Sequence, residues 1–227
     1  MTQSAQTLLH PSQLAPVAGD GPPTRSRGLY ERIGKGLIDR MVGVGLVLLT
    51  LPIFITVAIA VFIDLGLPIF LRQERVGRDG RVFRVLKFRS MEPDRRTPHE
   101  PSFVGADRRH NHKSEEDPRL TPVGRFIRKW SLDELPQLWN VVLGHMSLVG
   151  PRPEMVQIVE RYEPWQHARH QVKPGVTGLW QVSARGEVPM HQATHIDLEY
   201  VQTISLATDI RILAKTLPAA FGSRTGY

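Results

Sequence analysis

The feature that most constrains this chain is a stretch of 23 residues without a charged side chain, Met41–Ile63. As an α-helix it would be about 35 Å long, which is enough to cross the hydrocarbon core of a bilayer. A buried helix of a soluble protein is the alternative for so apolar a stretch. Pro52 lies near its middle, where it removes one backbone hydrogen bond and predicts a kink.

Basic residues flank this stretch on both sides, whereas a helix that crosses a bilayer usually leaves one flank poorer in lysine and arginine. The five basic residues on the N-terminal side are Arg25, Arg27, Arg32, Lys35 and Arg40. Seven more follow between residues 72 and 89. We therefore predict a re-entrant membrane helix within residues 29–66 that breaks at Pro52 and returns to the same side. The backbone freed at the break needs a partner, for which Thr50 is a candidate.

The composition excludes several classes of site. The chain has no cysteine, so it has no disulfide, thiolate metal site or thiol catalyst. Its net charge of +7 suits nucleic acid, anionic lipid or phosphorylated substrates, although the low aromatic content of 7% argues against stacking of bases. Residues 1–28 lack an apolar period and the apolar core of a signal peptide, and we predict a disordered tail there.

Beyond the apolar stretch, Asp79-Gly80 is a turn signal between alternating segments and predicts a β-hairpin over residues 67–88. Residues 92–117 are rich in charge and proline and predict a mobile loop. Two closing helices, Ile196–Val201 and Leu206–Leu217, are expected to pack on the core or lie in the membrane interface. Two histidine pairs lack the further ligands of a metal site, and we expect them to be solvated or buried. They are His110 with His112, and His191 with His195.

Two adjacent carboxylates, Asp133 and Glu134, lie where a helix should begin. An amphipathic helix is predicted over Leu135–Leu143, ending before Gly144. The residues that give it an apolar face are Leu135, Leu138, Trp139 and Val142. Ser131 and Glu134 fit a capping box, whereas Pro136 at the first helical position would place both acids before the helix. In either register the acids lie near free N–H groups, which stabilise a carboxylate and attract phosphate. Structural and catalytic roles both remain open from spacing alone.

A stiff turn, Gly150-Pro151-Arg152-Pro153, follows a predicted short strand at Met146–Val149. Because both prolines fix φ, Arg152 is held at low entropic cost and could bind a phosphate with two parallel hydrogen bonds. An exposed turn arginine fits equally well. A helix is predicted over Glu154–His170. Further on, Gly175 and Gly178 allow either a close approach to a ligand or an ordinary turn.

Several motifs occur together in one order along the chain. They are Lys35 with Asp39, Phe70–Gly77, Phe83, Lys87–Met91, Leu120–Arg125, Ser131–Gln137 with Asn140, Met146–Glu154 and Lys173–Gly178. Over about residues 30–219 this set resembles the bacterial sugar transferases, namely the monotopic polyprenyl-phosphate sugar-1-phosphate transferases. The chain is similar to the short form of that family. Leu51 precedes Pro52 where relatives often have serine.

The resemblance implies an α/β (α+β) fold: a small, helix-rich catalytic domain over residues 67–227 with a short β-hairpin. A re-entrant membrane helix and interfacial amphipathic helices would hold it on the cytoplasmic face of the bacterial inner membrane. The implied reaction moves a sugar-1-phosphate from a UDP-sugar to undecaprenyl phosphate with Mg²⁺ and releases UMP, as the first membrane step of exopolysaccharide, O-antigen or glycoconjugate synthesis. The sugar stays open, a homo-oligomer is possible, and nucleic acid is not an expected partner.

The resemblance also assigns roles to residues. Asp133 would be the nucleophile that carries a covalent phosphosugar, and Glu134 its acid/base or metal partner, so that both would hold Mg²⁺. Arg152, between Pro151 and Pro153, would bind the nucleotide. Further substrate contacts are expected from Lys87, Arg89, Arg128 and Gln137. Asp133 is expected to be accessible near the lipid boundary. The competing interpretations are a basic membrane-surface protein that binds anionic lipid or nucleic acid without catalysis, and a UDP-sugar hydrolase.

Overall fold

A computed structural model of the chain describes residues 27–92, 117, 119–183 and 192–221. Most of the predicted N-terminal tail and nearly all of the predicted loop over residues 92–117 fall outside these ranges, as do His110, His112 and His191. His195 is exposed, as expected for a solvated histidine. Within the described ranges no group of three histidine, aspartate or glutamate side chains could hold a metal ion.

Helices make up most of the described chain, in agreement with the expected helix-rich fold. The longest, α1, spans Lys35–Leu65 and follows a π-helical turn at Tyr30–Gly34. The other α-helices are α2 (Pro122–Lys129), α3 (Gln137–Val142), α4 (Val156–Val159), α5 (Leu179–Ser183), α6 (Thr194–Thr203) and α7 (Leu206–Phe221). Short 3₁₀ segments lie at Arg78–Gly80, Leu132–Glu134 and Pro164–Gln171.

Five short strands form two small sheets. In the first, β1 (Phe70–Val76) pairs antiparallel with both β2 (Val82–Phe88) and β4 (Glu154–Met155), so the strand order is β2-β1-β4. In the second, β3 (Ser147–Val149) and β5 (Gly175–Thr177) run parallel. The predicted hairpin and the predicted strand before Arg152 are therefore confirmed.

The hairpin turn uses the two residues that the sequence marks. Asp79 and Gly80 have φ angles of 57° and 74°, and this left-handed region suits glycine and is tolerated by aspartate. The turn is longer than two residues, because the last strand pair joins Val76 to Val82 and the Gly77 N–H donates to the Arg81 carbonyl at 2.8 Å.

The N-terminal half of α1 packs on the domain through α3 and β3. Gly43 is buried there, and a Cβ at this position would lie 3.2 Å from Cγ1 of Val141. Asp39 is also buried, and its carboxylate accepts a hydrogen bond from the Ser147 hydroxyl at 2.7 Å. Gly43 therefore allows α1 and α3 to approach closely at the start of the uncharged stretch.

The C-terminal half of α1 packs on the same domain. Val57 and Val61 are buried in a cluster with Phe88 and Ile127. Between the two contacts the helix is largely exposed, and Leu49 is 75% exposed. Both halves of α1 thus contact one domain while the middle presents apolar side chains outward. This arrangement is compatible with the re-entrant path, which remains a prediction.

The break predicted at Pro52 does not interrupt the helix, which is continuous from Lys35 to Leu65. The Thr50 hydroxyl donates to the Leu46 carbonyl at 2.7 Å, so it does not replace the bond to the Leu48 carbonyl that Pro52 cannot make. Within the described ranges this is the one helix long and apolar enough to cross a membrane.

Two other helix predictions are corrected. The segment Glu154–His170 is not one helix, because its first two residues join β1 as a strand and Pro164 begins a separate 3₁₀ segment. The last helix does not end at Pro218 but continues to Phe221. The closing helices pack on the core, where Tyr200 and Ile212 are fully buried.

Candidate active site

Glu134 lies at the centre of a compact charged cluster that three separate segments bring together. Arg152 grips its carboxylate with two hydrogen bonds, from Nη2 to Oε1 at 2.6 Å and from Nη1 to Oε2 at 3.2 Å. Lys87 Nζ donates to the same Oε1 at 2.9 Å. The Glu134 side chain is 8% exposed, so water screens these contacts little. The sequence-predicted association of Lys87, Glu134 and Arg152 is therefore present.

The turn before α3 fixes both carboxylates. Leu132–Glu134 forms a 3₁₀ segment, preceded by Ser131 in the left-handed region with a φ of 53°. This conformation is costly for a residue with a Cβ, and such strain is often found at functional sites. The Ser131 side chain makes no capping hydrogen bond, so the expected capping box is not formed. Pro136 is the N-cap of α3 rather than its first residue, and both acids precede the helix.

The buried face of α3 differs from the predicted one. Trp139 is 45% exposed, whereas Asn140 and Val141 are buried. The reason is a side-chain pairing with the edge of β2. The Asn140 amide oxygen accepts from the Leu86 N–H at 3.0 Å, and its nitrogen donates to the Arg84 carbonyl at 2.8 Å. Asn140 thereby joins the helix that follows the carboxylates to the strand that carries Lys87.

Asp133 is 4% exposed, so the prediction that its side chain is accessible is wrong. Its Oδ1 has no hydrogen-bond partner among the described residues. An unpartnered buried carboxylate oxygen is costly and marks a position that a ligand or cation could satisfy. A substrate would have to displace part of the covering chain, or contact Asp133 through the small remaining opening.

The four charges at this site influence each other strongly. Burial lowers the pKa of Lys87, although Glu134 and Asp133 oppose this effect. Burial also disfavours the Arg152 cation, but the carboxylates, Glu134 first, outweigh it and raise the Arg152 pKa. The two cations and the two carboxylates already balance each other in charge, so a bound phosphate would add negative charge to the site.

A second charged cluster lies behind Arg152 and was not detected in the sequence. The buried Arg169 donates from Nη2 to the Arg152 carbonyl at 2.7 Å and from Nη1 to the Tyr162 hydroxyl at 2.8 Å. Nη2 also lies 2.6 Å from Oδ2 of Asp197, which belongs to α6. Arg169 therefore fixes the backbone of the turn that carries Arg152. No local motif pairs residues from two such distant segments.

The glycines after Lys173 contact the backbone of this turn. The Gly175 N–H donates to the Pro151 carbonyl at 2.9 Å, and the Gly150 N–H donates to the Thr177 carbonyl at 2.9 Å. A Cβ at Gly178 would lie 2.2 Å from the Gly150 oxygen. In this structure these glycines serve close backbone packing around Gly150.

The structure gives protein contacts or burial for the other predicted substrate contacts, whose role in binding stays a prediction. The Arg89 guanidinium donates to the carbonyls of Leu65 and Gly66, at the C-terminal end of α1. Arg128 donates to the Ser90 hydroxyl at 2.8 Å and to the sulfur of Met91 at 3.1 Å. Gln137 is 2% exposed at the start of α3. Pro153 flanks Arg152 as expected.

The two carboxylates of the site differ in whether they could hold the predicted Mg²⁺. Both oxygens of Glu134 already accept hydrogen bonds from cations, so this carboxylate is a poor metal ligand in the present arrangement. Asp133 Oδ1 is available. Mg²⁺ commonly takes one or two carboxylates and completes its shell with waters and substrate phosphates, so a site built on Asp133 and a diphosphate fits the residues present.

Comparison with known proteins identifies the family of the chain. A family model described as bacterial sugar transferase matches residues 30–223. The chain is 44% identical over 192 residues to a UDP-galactose-lipid carrier transferase of Erwinia amylovora, with 82% of this chain and 40% of the relative covered. It is 37% identical over 205 residues to the UDP-glucose:undecaprenyl-phosphate glucose-1-phosphate transferase of Escherichia coli K12, with 87% and 42% covered.

A shorter relative is matched over most of its length. The exopolysaccharide production protein ExoY of Sinorhizobium fredii is 37% identical over 200 residues, which cover 86% of this chain and 88% of that protein. The chain thus spans less than half of the two longer relatives and nearly all of the shorter one. The extent of the family match and these identities establish the relationship. The chain belongs to the bacterial sugar transferase family.

Proposed function

We propose that this protein transfers a sugar-1-phosphate from a UDP-sugar to undecaprenyl phosphate and releases UMP, in a membrane step of exopolysaccharide synthesis. The relatives named above act on UDP-galactose or UDP-glucose, or serve exopolysaccharide production, by their names. The observation that carries the proposal is the free Oδ1 of buried Asp133, next to a glutamate that holds two cations. The sugar is open between at least galactose and glucose.

In the proposed mechanism Asp133 attacks the phosphorus that bears the sugar. A bond forms between its carboxylate oxygen and that phosphorus, the phosphoanhydride bond breaks, and UMP leaves with the bonding electrons. A phosphate oxygen of undecaprenyl phosphate then attacks the same phosphorus and frees Asp133. This step requires the donor phosphate to reach Asp133, which is 4% exposed. Once the phosphate is bound there, low exposure strengthens the interactions with it.

The two cations have distinct tasks in this proposal. Glu134 orients Lys87 and Arg152 and favours the charged form of both, since it raises the pKa of each side chain against the effect of burial. Arg152 has five N–H donors, of which Glu134 takes two, so others remain for a diphosphate oxygen. When bound, Mg²⁺ would screen the repulsion between carboxylate and phosphate. The Asp133 carboxylate would hold it, together with oxygens of the donor.

The test uses the purified full chain with UDP-sugar, polyprenyl phosphate and Mg²⁺, and measures UMP release. Asp133→Asn is expected to abolish release. Donor labelled in the sugar and given without acceptor should leave label on the wild-type protein and none on Asp133→Asn. The matched control is Asp64→Asn, because Asp64 is exposed at the end of α1 and outside the site. Undiminished release by Asp133→Asn would remove Asp133 as nucleophile, and turnover without acceptor would indicate a hydrolase.

A further inference from the structure

A concave surface lies apart from the Asp133 and Glu134 carboxylates. It is a groove of about 620 Å³ between the hairpin and the loop that follows α3, and neither Asp133 nor Glu134 lines it. We call it the basic groove, because five of the described side chains that line it are cationic and Asp79 is the only carboxylate among them. The five cations are Arg72, Arg78, Arg81, Arg84 and Lys173.

The positive charge of the basic groove is only partly compensated. Arg78 lies 3.2 Å from Asp79, and Arg84 lies 3.6 Å from Glu74 on the solvent side. In the part of the chain that the structure describes, no carboxylate pairs with the other three cations, Arg72, Arg81 and Lys173. Burial, with nearby arginines, lowers the pKa of Lys173. An anion in the groove would relieve this repulsion.

One wall of the basic groove is formed by the hairpin. The face of the hairpin that forms it also contacts α1. Alternate residues of a strand share a face, so Phe70 and Arg72 of β1 point to the same side. The rings of Phe70 and Phe88 lie 5.9 Å and 4.9 Å from the ring of Phe54, in the uncharged part of α1. The face that carries Arg72 is therefore continuous with the contact to α1.

The opposite wall of the groove lies where α1 changes from charged to uncharged residues. Leu143 lines this wall and is 61% exposed. Gly144, beside it, lies against the guanidinium of Arg40, since a Cβ there would be 2.6 Å from Nη2. Arg40 is the last charged residue before Met41–Ile63. The groove thus combines cations with an apolar edge beside the start of the uncharged stretch of α1. This combination matches the boundary between lipid headgroups and acyl chains.

We propose that the basic groove binds the phosphate headgroup of an anionic phospholipid from the surrounding bilayer, with Leu143 toward its acyl chains. The inference rests on the membrane location of α1 and not on the reaction at Asp133. Each cation near a membrane surface strengthens the attraction to anionic lipid about fivefold. A nucleotide is the competing anion, and competition with UMP tests for it directly.

The experiment titrates the detergent-solubilised full chain with dioctanoyl phosphatidylglycerol, and separately with dioctanoyl phosphatidylcholine. Native mass spectrometry counts the bound lipid. Phosphatidylglycerol is expected to bind at least tenfold more tightly than phosphatidylcholine. Arg72→Gln with Arg81→Gln should weaken it about 25-fold, the product of two fivefold losses. Both arginines are exposed, so the fold should tolerate the change.

Two matched variants complete the test. Arg125→Gln with Arg161→Gln removes the same charge from exposed positions outside the groove and should bind phosphatidylglycerol like wild type. Arg72→Lys with Arg81→Lys keeps the charge and should also bind normally. Equal affinity for both lipids, or equal weakening by the control variant, would overturn the proposal. Displacement of phosphatidylglycerol by UMP would overturn it too and assign the groove to a nucleotide. Because no donor turnover is measured, failure here leaves the proposed reaction untouched.

Discussion

Replacing Arg169 by methionine is expected to destabilise the protein far more than replacing an exposed arginine. The side chains of Arg169 and Asp197 are 1% and 2% exposed and lie 2.6 Å apart. Without the guanidinium, the Asp197 carboxylate would be buried and unpaired, at a cost of about 3–5 kcal/mol. Protonation limits the charge part of this cost, because neutralising an ordinary aspartate at pH 7 costs about 4 kcal/mol.

The assay is thermal unfolding of the detergent-solubilised chain. A protein of this size shifts its Tm by about 2–4 °C per kcal/mol, so Arg169→Met should lower the Tm by about 6–20 °C. The control is Arg161→Met, which removes the same side chain from an exposed position. Its unfolding free energy should change by less than about 0.5 kcal/mol.

A second substitution separates the unpaired charge from the lost packing. Adding Asp197→Leu to Arg169→Met removes both charges, and buried ion pairs replaced by apolar residues often retain their stability. The double variant should therefore recover most of the lost Tm. If it unfolds at the same temperature as Arg169→Met, the cost does not arise from an unpaired carboxylate and the reasoning fails.

The double variant also tests whether Arg169 positions the Arg152 turn. It lacks the hydrogen bond to the Arg152 carbonyl, although its Tm is largely restored. A bond of this kind contributes about 1 kcal/mol, so the KM for the UDP-sugar should rise about fivefold. An unchanged KM would show that the turn holds Arg152 without Arg169.

Three further predictions concern substitutions of Gly178, His170 and Arg89. Gly178→Ala should lower the Tm strongly, because its Cβ would meet the Gly150 oxygen at 2.2 Å, and a normal Tm would contradict that close approach. Burial, with Arg169 nearby, lowers the pKa of His170 well below its usual value, so its contribution to stability is present above pH 6.5 and is lost below it. From pH 7.5 to 5.5 this costs at most about 1.4 kcal/mol, the limit for a histidine that stays neutral in the folded state, and His170→Phe should abolish this loss in pH-dependent unfolding. Arg89→Met should lower the Tm without raising the KM for the donor, whereas a raised KM would return Arg89 to substrate binding.

The sequence predicts the parts of the fold whose causes are local. Asp79 and Gly80 tolerate positive φ and lie between alternating segments, so the hairpin follows from its turn. The predicted helix over Glu154–His170 fails because pairing with β1 overrides local preference, and Pro164 prevents a continuous helix. Such pairing depends on which strand lies nearby, and spacing along the chain does not contain this information.

The candidate site also has a part that sequence motifs indicate and a part that they do not. Family resemblance named Lys87, Glu134 and Arg152 because each lies in a recognisable motif, and the structure brings the three into contact. The Arg169 and Asp197 pair could not be foreseen, because its members lie in two segments without a shared period. Arg169 lies in the largely polar segment Pro164–Gln171, so its neighbours in sequence give no sign that it is buried.

The end of strand β2 and the residue after it connect the candidate active site to the end of the apolar helix. Lys87 binds Glu134, whereas Arg89 binds the carbonyls of Leu65 and Gly66. Two residues of a strand span about 7 Å, so the chain itself fixes the height of Lys87 relative to the end of α1. Under the proposed function, an acceptor whose tail lies beside α1 would present its phosphate at a depth set by this strand. Lys87 of β2 and Arg89 directly after it thus make different contacts, one in the site and one at the helix end, and under the proposed function this spacing would set the distance between the chemistry and the lipid.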